Sequence, residues 1–361
     1  MKNTFGQSIS VTLFGESHGQ EIGAVIDGIA PGIKINDEYI KNCLDLRRPY
    51  GKISTGRHEL DKCRIVSGVF NGYTTGTPIA ILIQNTNTRS ADYSALKDTP
   101  RPGHADYTAE CKYHGFQDYR GGGHFSGRIT APLVAAGAII RSALLGKGIK
   151  IGTHISMLRG IADRAIEEGD LDTLNNKLFP VLDESAEAEM VKTIEGAAAI
   201  GDSVGGVLET MVTGIPSGVG EPFFDSVEGQ LSHILFSVPG IKGVEFGAGF
   251  GITDMLGSEA NDPFTVQCGQ VKTKTNNNGG INGGITNGMP IVFRCAVKPT
   301  PSIYKVQDTV SLSQMSDKKL AVEGRHDPAI IHRVRAVIDA VTAIAVADML
   351  AARFGTDYLK S

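Results

Sequence analysis

Two histidines, each in a short glycine-bearing loop, are the residues whose type and setting could do chemistry. Gly15-Glu16-Ser17-His18-Gly19 follows the apolar run Val11 to Phe14, so an imidazole and a hydroxyl emerge where a strand should end in a turn. An imidazole can give or take a proton near neutral pH, though His18 could equally cap the turn. Arg101-Pro102-Gly103-His104-Ala105-Asp106 offers a second histidine, with a carboxylate two residues on that could orient it. Two such imidazoles invite a paired acid–base reading; the alternative is a loop histidine merely hydrogen-bonded to Asp106.

The sharpest local signal is Asp118-Tyr119-Arg120-Gly121-Gly122-Gly123-His124-Phe125-Ser126-Gly127-Arg128, in which three consecutive glycines lead towards a helix start. Such a loop lets backbone N–H groups converge on an anion, and the flanking Arg120 and Arg128 favour phosphate over a plain flexible turn. The spacing matches neither the dinucleotide fingerprint nor the P-loop. Lys298-Pro299-Thr300-Pro301-Ser302 is a rigid polar loop that says little alone. Glu323-Gly324-Arg325-His326-Asp327-Pro328 leads into the last helix, where Asp327 reads most simply as the cap.

Arginines next to glycine or proline loops (Arg47, Arg48, Arg57, Arg101, Arg120, Arg128 and Arg325) exceed what solubility needs in a chain of net charge -4, and suggest a polyanionic small molecule. The same net charge argues against a nucleic-acid binder. The five cysteines are odd in number, widely spaced and without a CxxC pair, so neither a disulfide framework nor a zinc site is indicated and a reducing cytoplasm fits. No HExxH or GxSxG occurs, and no metal is expected. The amino terminus has no signal-peptide pattern. The apolar runs Thr130 to Leu145 and Ala336 to Leu350 carry Arg141, Asp339 and Asp348, and read as buried helices rather than membrane spans.

The elements that must position these loops follow from periodicity. Ser8 to Phe14, Ala24 to Ile29, Arg64 to Phe70, Pro78 to Gln84 and Ile291 to Val297 read as strands. Helices are expected from the Asn36 cap to Leu46, from a Thr130 cap to the stop at Gly146 and Gly148, and over Ser185 to Ala199, Asp225 to Phe236 and Asp327 to Phe354. Strands and helices are interspersed without a regular βαβ rhythm. A weak echo links Gly76 to Ile81 with Gly288 to Phe293, which chance explains as readily as two related halves. The Asn- and Gly-rich segment Thr273 to Gly288 looks like a loop folded close to something.

Taken in order, GESHG (Gly15 to Gly19), RPGHAD (Arg101 to Asp106), DYRGGG (Asp118 to Gly123) and GRHDP (Gly324 to Pro328) resemble the motifs of the chorismate synthase family over essentially the whole chain. The resemblance extends to Gly205 to Val207, Gly220 to Pro222, Val238 to Glu245, the Asn-Gly loop and KPTPS.

It implies an α+β fold, a β-α-β sandwich with long helices between antiparallel sheets, forming a single domain over 1–361 and assembled as a homotetramer. The implied reaction is the anti 1,4-elimination of phosphate from 5-enolpyruvylshikimate-3-phosphate, in the cytoplasm, with reduced FMN. An outside flavin reductase or NADPH at this chain would supply the reduced flavin; no extra reductase domain is recognisable.

By the same resemblance His18 would protonate the departing phosphate and His104 would serve the anionic flavin. Asp327, Ser17 and Ser126 would form the network around the flavin nitrogen. Flavin contacts would come from His124, Phe125, Ser126, Pro239, Gly240, Gly283, Lys298, Pro299, Thr300, Pro301, Ser302 and Arg325. Substrate anions would meet Arg47, Arg48, Arg57, Arg101 and Arg128. The family often has GGGRxSAR where GGGHFSGR stands here, which leaves the role of His124 open. Two further readings are an FMN-dependent oxidoreductase, marked by a two-electron change in its substrate, and a noncatalytic anion-binding protein, which would tolerate loss of both histidines.

Overall fold

Small and branched apolar residues alternate in two segments of the amino-terminal third, Ile22-Ala24-Ile26 and Ile79-Ile81-Ile83, and the chain pairs them. The computed structural model describes residues 2–54, 61–86, 97–322, 324 and 326–360. Strands β1 (Thr4–Phe5), β2 (Ser10–Gly15), β3 (Glu21–Asp27), β4 (Cys63–Ser67) and β7 (Ile79–Gln84) form one antiparallel sheet in the order β1-β2-β3-β7-β4, beside a small hairpin of β5 (Val69–Phe70) and β6 (Tyr73–Thr74). Ile22, Ala24 and Ile26 lie opposite Ile83, Ile81 and Ile79, all fully buried on the inner face. Helix α1 (Asp37–Leu46) starts as expected, with the Asn36 side chain accepting from the Tyr39 N–H.

Helices α2 (Asp106–Tyr113) and α3 (Thr130–Gly146) follow. A second antiparallel sheet, in the order β11-β16-β10-β8-β9, is built from β8 (Lys150–Leu158), β9 (Ile161–Ala162), β10 (Gly206–Thr213), β11 (Ile241–Phe246) and β16 (Ile291–Val297). Around it lie α4 (Leu171–Leu174), α5 (Glu184–Ala199), α6 (Val227–Leu235) and α7 (Gly257–Ala260). Three hairpins complete it: β12 (Phe264–Gln267) with β13 (Gln270–Thr273), β14 (Ile281–Asn282) with β15 (Ile285–Thr286), and β17 (Gln307–Ser311) with β18 (Ser316–Leu320). The chain ends in α8 (Ile331–Phe354).

Helices α3 and α8 lie against each other between the sheets, α3 on β3 and β7 and α8 on β8 and β10, and one apolar core runs through all four layers. A side chain at Gly137 would collide with Ala340, so glycine sets how closely the helices approach. The charges in this interface are internally matched: Asp339 accepts from Arg141 at 3.3 Å, Arg335 at 3.1 Å and the Thr153 hydroxyl at 2.6 Å. Residues 127–146 are long and apolar enough to cross a membrane by composition, yet 83% of that apolar window is buried inside the protein.

Several expectations change. The strand expected over Arg64 to Phe70 is broken at Gly68, φ 81°, into β4 and β5, which lie in different sheets. Thr130 is the first helical residue, not the cap of α3, and its hydroxyl donates to the Gly127 carbonyl at 2.6 Å. Helix α8 begins at Ile331 rather than Asp327, with no side chain capping it. Helix α2 was not expected, because DYTAECKY carries almost no apolar stripe and only Ala109 is buried. The echo segments enter β7 and β16, each next to an edge strand of its sheet. The Asn-Gly loop folds on Asp262, which accepts from the Asn277 and Asn278 backbones at 2.7 and 2.9 Å.

Candidate active site

Strand β2 ends at Gly15, whose φ of 97° turns the chain so that Ser17 and His18 point inward, fully buried and 8% exposed. Ser17 Oγ lies 3.1 Å from His18 Nδ1 and 3.1 Å from the Arg120 carbonyl, and the Ser17 N–H donates to the Gly123 carbonyl at 3.1 Å. These contacts seat the triple-glycine loop on the GESHG turn. All three glycines have positive φ, at 59°, 84° and 54°. A side chain at Gly121 would collide with the His18 ring and come 2.8 Å from Ser17 Oγ; one at Gly122 would lie 3.2 Å from His104 Cε1. The two imidazoles therefore flank consecutive residues of one loop, a juxtaposition across distant sequence that local motifs do not reveal.

His104 precedes α2, whose first residue, Asp106, grips both His104 and Arg101. Asp106 Oδ1 is 2.6 Å from His104 Nδ1, and the same carboxylate accepts from Arg101 Nε and Nη2, both at 2.8 Å. Arg101 Nη2 also lies 3.0 Å from His104 Nδ1. Both cannot be hydrogen bonds of one tautomer. The shorter contact to an anion decides: Nδ1 carries the proton and donates its hydrogen bond to Asp106, leaving Nε2 for a ligand. Burial pushes the Asp106 carboxyl up, but hydrogen bonds from Arg101 and His104 outweigh it and hold it well below the usual carboxylate range. His104, Gly122 and Phe125 line one narrow cleft.

The KPTPS loop packs against this group. Arg101 Nη1 reaches Ser302 Oγ at 3.4 Å, Lys298 Nζ donates to the Gly103 carbonyl, and the Lys298 N–H donates to the Gly240 carbonyl at 2.9 Å. Burial and the neighbouring Lys242 lower the Lys298 pKa. Thr300 Oγ1 is buried with no partner among the described residues. Pro301 lies under Gly103, and Pro239 and Pro299 are exposed.

The arginines divide. Arg47 and Arg128 converge on one buried carboxylate, Asp61: Arg47 Nη2 donates to Oδ2 at 2.7 Å and Arg128 Nη1 to Oδ1. Arg128 is further engaged with Asn85 Oδ1 and the Gln84 carbonyl, both at 3.0 Å. Arg48 instead pairs with Asp45 at 2.6 Å on the last turn of α1, and Arg120 with Asp118 at 2.7 Å. Arg57 and Arg325 lie outside the described residues.

Ser126 caps the short turn before α3, accepting the Arg128 N–H at 3.3 Å, and His124 Nδ1 lies 2.8 Å from the Gly15 carbonyl, so His124 braces the loop against β2. Gly283 is exposed at the tip of the β14–β15 hairpin, where the adjoining Gly284 packs on Glu221 and Ser226. Asp327 is not a helix cap. Its carboxylate meets Arg333 Nη1 at 2.5 Å, and Arg333 Nε donates to the Arg47 carbonyl at 2.9 Å. Sequence reasoning missed Asp61 and Arg333, which stand in no glycine or proline loop; the one available signal was an arginine at a helix start, where cations are disfavoured.

A family model described as chorismate synthase matches residues 9–351. The chain is similar to the chorismate synthase of Pyrococcus abyssi, 46% identical over 345 residues and covering 96% of each chain. It is 47% identical over 348 residues to that of Chitinophaga pinensis, again 96% of each. A crystal structure of chorismate synthase superposes with a TM-score of 0.76 at 28% identity, covering 97% of this chain and 94% of the other.

Proposed function

The chain belongs to the chorismate synthase family, and from that premise we propose how its residues divide the work. Its reaction is the elimination of phosphate from 5-enolpyruvylshikimate-3-phosphate to give chorismate for aromatic amino-acid biosynthesis, a carbon–oxygen lyase step. Breaking an allylic carbon–oxygen bond requires donors aimed at the leaving oxygens and a group that accepts the ring proton.

The single observation that carries our reading is the glycine loop wedged between the two imidazoles. His18, nine-tenths buried and braced by Ser17, delivers a proton to the departing phosphate. His104 donates an Nδ1–H hydrogen bond to Asp106 and presents Nε2 to the bound ligands. Arg47, Arg57, Arg101 and Arg128, with Arg48, hold the substrate's carboxylates and phosphate through their planar forks.

The residues present fit a flavin mononucleotide. The orphaned Thr300 hydroxyl, the Lys298 ammonium and the Ser302 hydroxyl form a donor set suited to a phosphate or a polar ring edge. Reduced FMN, when bound, supplies electron density to the allylic system. We assign its binding to this loop together with His124, Phe125, Ser126, Pro239, Gly240, Gly283 and Arg325. Asp327, ion-paired with Arg333 rather than capping α8, belongs with Ser17 and Ser126 to the network that assists loss of the ring proton.

We further read the chain as one cytoplasmic domain assembled as a homotetramer. Phe250, Phe264 and Val266, between 69% and 82% exposed, support an interface between copies. NADPH-dependent reduction at this chain and supply by an external reductase are separated by adding NADPH and oxidised FMN without a reductase.

The test is His18→Ala and His104→Ala under anaerobic turnover with reduced FMN. Each should lower kcat by roughly 100-fold or more with FMN affinity little changed. Full activity in either would remove that histidine from the chemistry.

A further inference from the structure

Helix α8 opens Ile331-His332-Arg333-Val334-Arg335, with no acidic residue in its first turn. The amino end of a helix carries partial positive charge, so a 24-residue helix beginning with three basic side chains breaks a local rule. Two of the three are accounted for within the fold. Burial, with Arg333 beside it, pushes His332 down to about 3, so it stays neutral and meets Ser54 Oγ at 2.7 Å. Arg335 is fully buried and paired with Asp339 one turn on at 3.1 Å.

Arg333 is the exception. Its guanidinium spans two segments that carry the chemistry: Asp327 Oδ2 at 2.5 Å, and the Arg47 backbone carbonyl at 2.9 Å. The Arg333 and Asp327 side chains are 19% and 15% exposed, so the pair is shielded without being sealed. Only a planar fork with separate Nε and Nη donors can serve both acceptors in fixed directions; a lysine ammonium offers one point. A cation kept where the helix disfavours it, at the junction of two site segments, marks a functional constraint.

We propose that Arg333 is a positioning residue for the elimination, fixing the Asp327 carboxylate relative to the segment that carries Arg47. The proposal rests on the roles read above for Asp327 and Arg47. It makes the first turn of α8 the ruler between the Asp327 side of the site and the substrate-binding side.

The experiment is steady-state turnover of the full chain with reduced FMN for Arg333→Ala, Arg333→Lys and Asp327→Asn. Arg333→Ala should lose roughly 100-fold in kcat, the usual penalty for misplacing a reacting group by about an ångström, with FMN affinity within about threefold. Millimolar guanidinium chloride should restore at least about tenfold of the lost kcat, and should not rescue Asp327→Asn, a response that a merely structural role would not give.

Arg333→Lys, which keeps the charge and stem, should fold and lose about tenfold or more in kcat with KM little changed. Turnover within about threefold of the parent in Arg333→Lys or Arg333→Ala overturns the proposal, as does a loss that guanidinium cannot restore and that follows a lowered melting temperature. Asp327→Asn separates the two layers. If it retains full turnover, the role of Asp327 falls whatever Arg333 does; if it is inactive while Arg333→Ala is fully active, only the proposal falls.

Discussion

Replacing Gly121 by alanine tests the wedge between the imidazoles most sharply, because its neighbour Gly122 provides an internal control. Both have positive φ, 59° and 84°, so either alanine should cost about 1 kcal/mol in backbone strain. They differ in what the new methyl meets. At Gly121 it collides with the His18 ring and approaches Ser17 Oγ to 2.8 Å, so the imidazole must move by about an ångström, adding about 1–3 kcal/mol of overpacking. At Gly122 the nearest atom is His104 Cε1 at 3.2 Å, and a shift of a few tenths of an ångström suffices. Gly121→Ala should therefore lose about 2–4 kcal/mol of stability and roughly 100-fold in kcat. Gly122→Ala should lose about 1 kcal/mol and less than about tenfold. Thermal melts and anaerobic turnover read both. A folded Gly121→Ala enzyme within about threefold of the parent, or equal losses in the two variants, would refute the reasoning.

Asp61→Asn leaves Arg47 and Arg128 without their shared carboxylate, and should cost about 3–5 kcal/mol in a denaturant titration. Burial raises the Asp61 pKa but the two arginines outweigh it, so the net shift is downward; its stabilisation is present above the unfolded carboxylate value near ~4 and lost as pH falls through the lower folded value. His154 lies between Asp163 at 2.8 Å and Glu209 at 3.1 Å; burial lowers its pKa, but these partners raise it overall. Its stabilisation is fully present below the unfolded value near ~6.5 and lost as pH rises through the folded value, so parent melting temperatures should fall towards those of His154→Gln across that window. Parallel curves would contradict this. Asp348 accepts from the Gln7, Ser8 and Ile9 backbone N–H groups at 2.7–3.1 Å; Asp348→Ala should cost about 3 kcal/mol and speed hydrogen exchange at those amides.

Strands β3 and β7 were legible because alternate apolar residues carry their own period, and α1 because Asn36 is a true cap. Helix α8 was legible in its apolar run but not at its start: Asp-Pro looks like a cap and first turn, yet the helix waits until Ile331 and Asp327 turns to Arg333 instead. The loops bearing His18, His104 and the three glycines stood out one by one. Their arrangement did not, since contact between residues a hundred positions apart is a property of the packed sheets. Asp61 was invisible for the same reason, an acidic residue in a polar stretch whose meaning comes only from the two guanidiniums folded onto it. All four expected substrate arginines among the described residues already spend donors within the protein: Arg47 and Arg128 on Asp61, Arg48 on Asp45 and Arg101 on Asp106.

The most direct test of the central claim is anaerobic turnover of 5-enolpyruvylshikimate-3-phosphate with chemically reduced FMN, following chorismate absorbance and inorganic phosphate together, against oxidised FMN. The account predicts equal release of both products with reduced flavin alone, with no net flavin oxidation. Product formation with oxidised FMN, or flavin oxidised in proportion to substrate consumed, would contradict it.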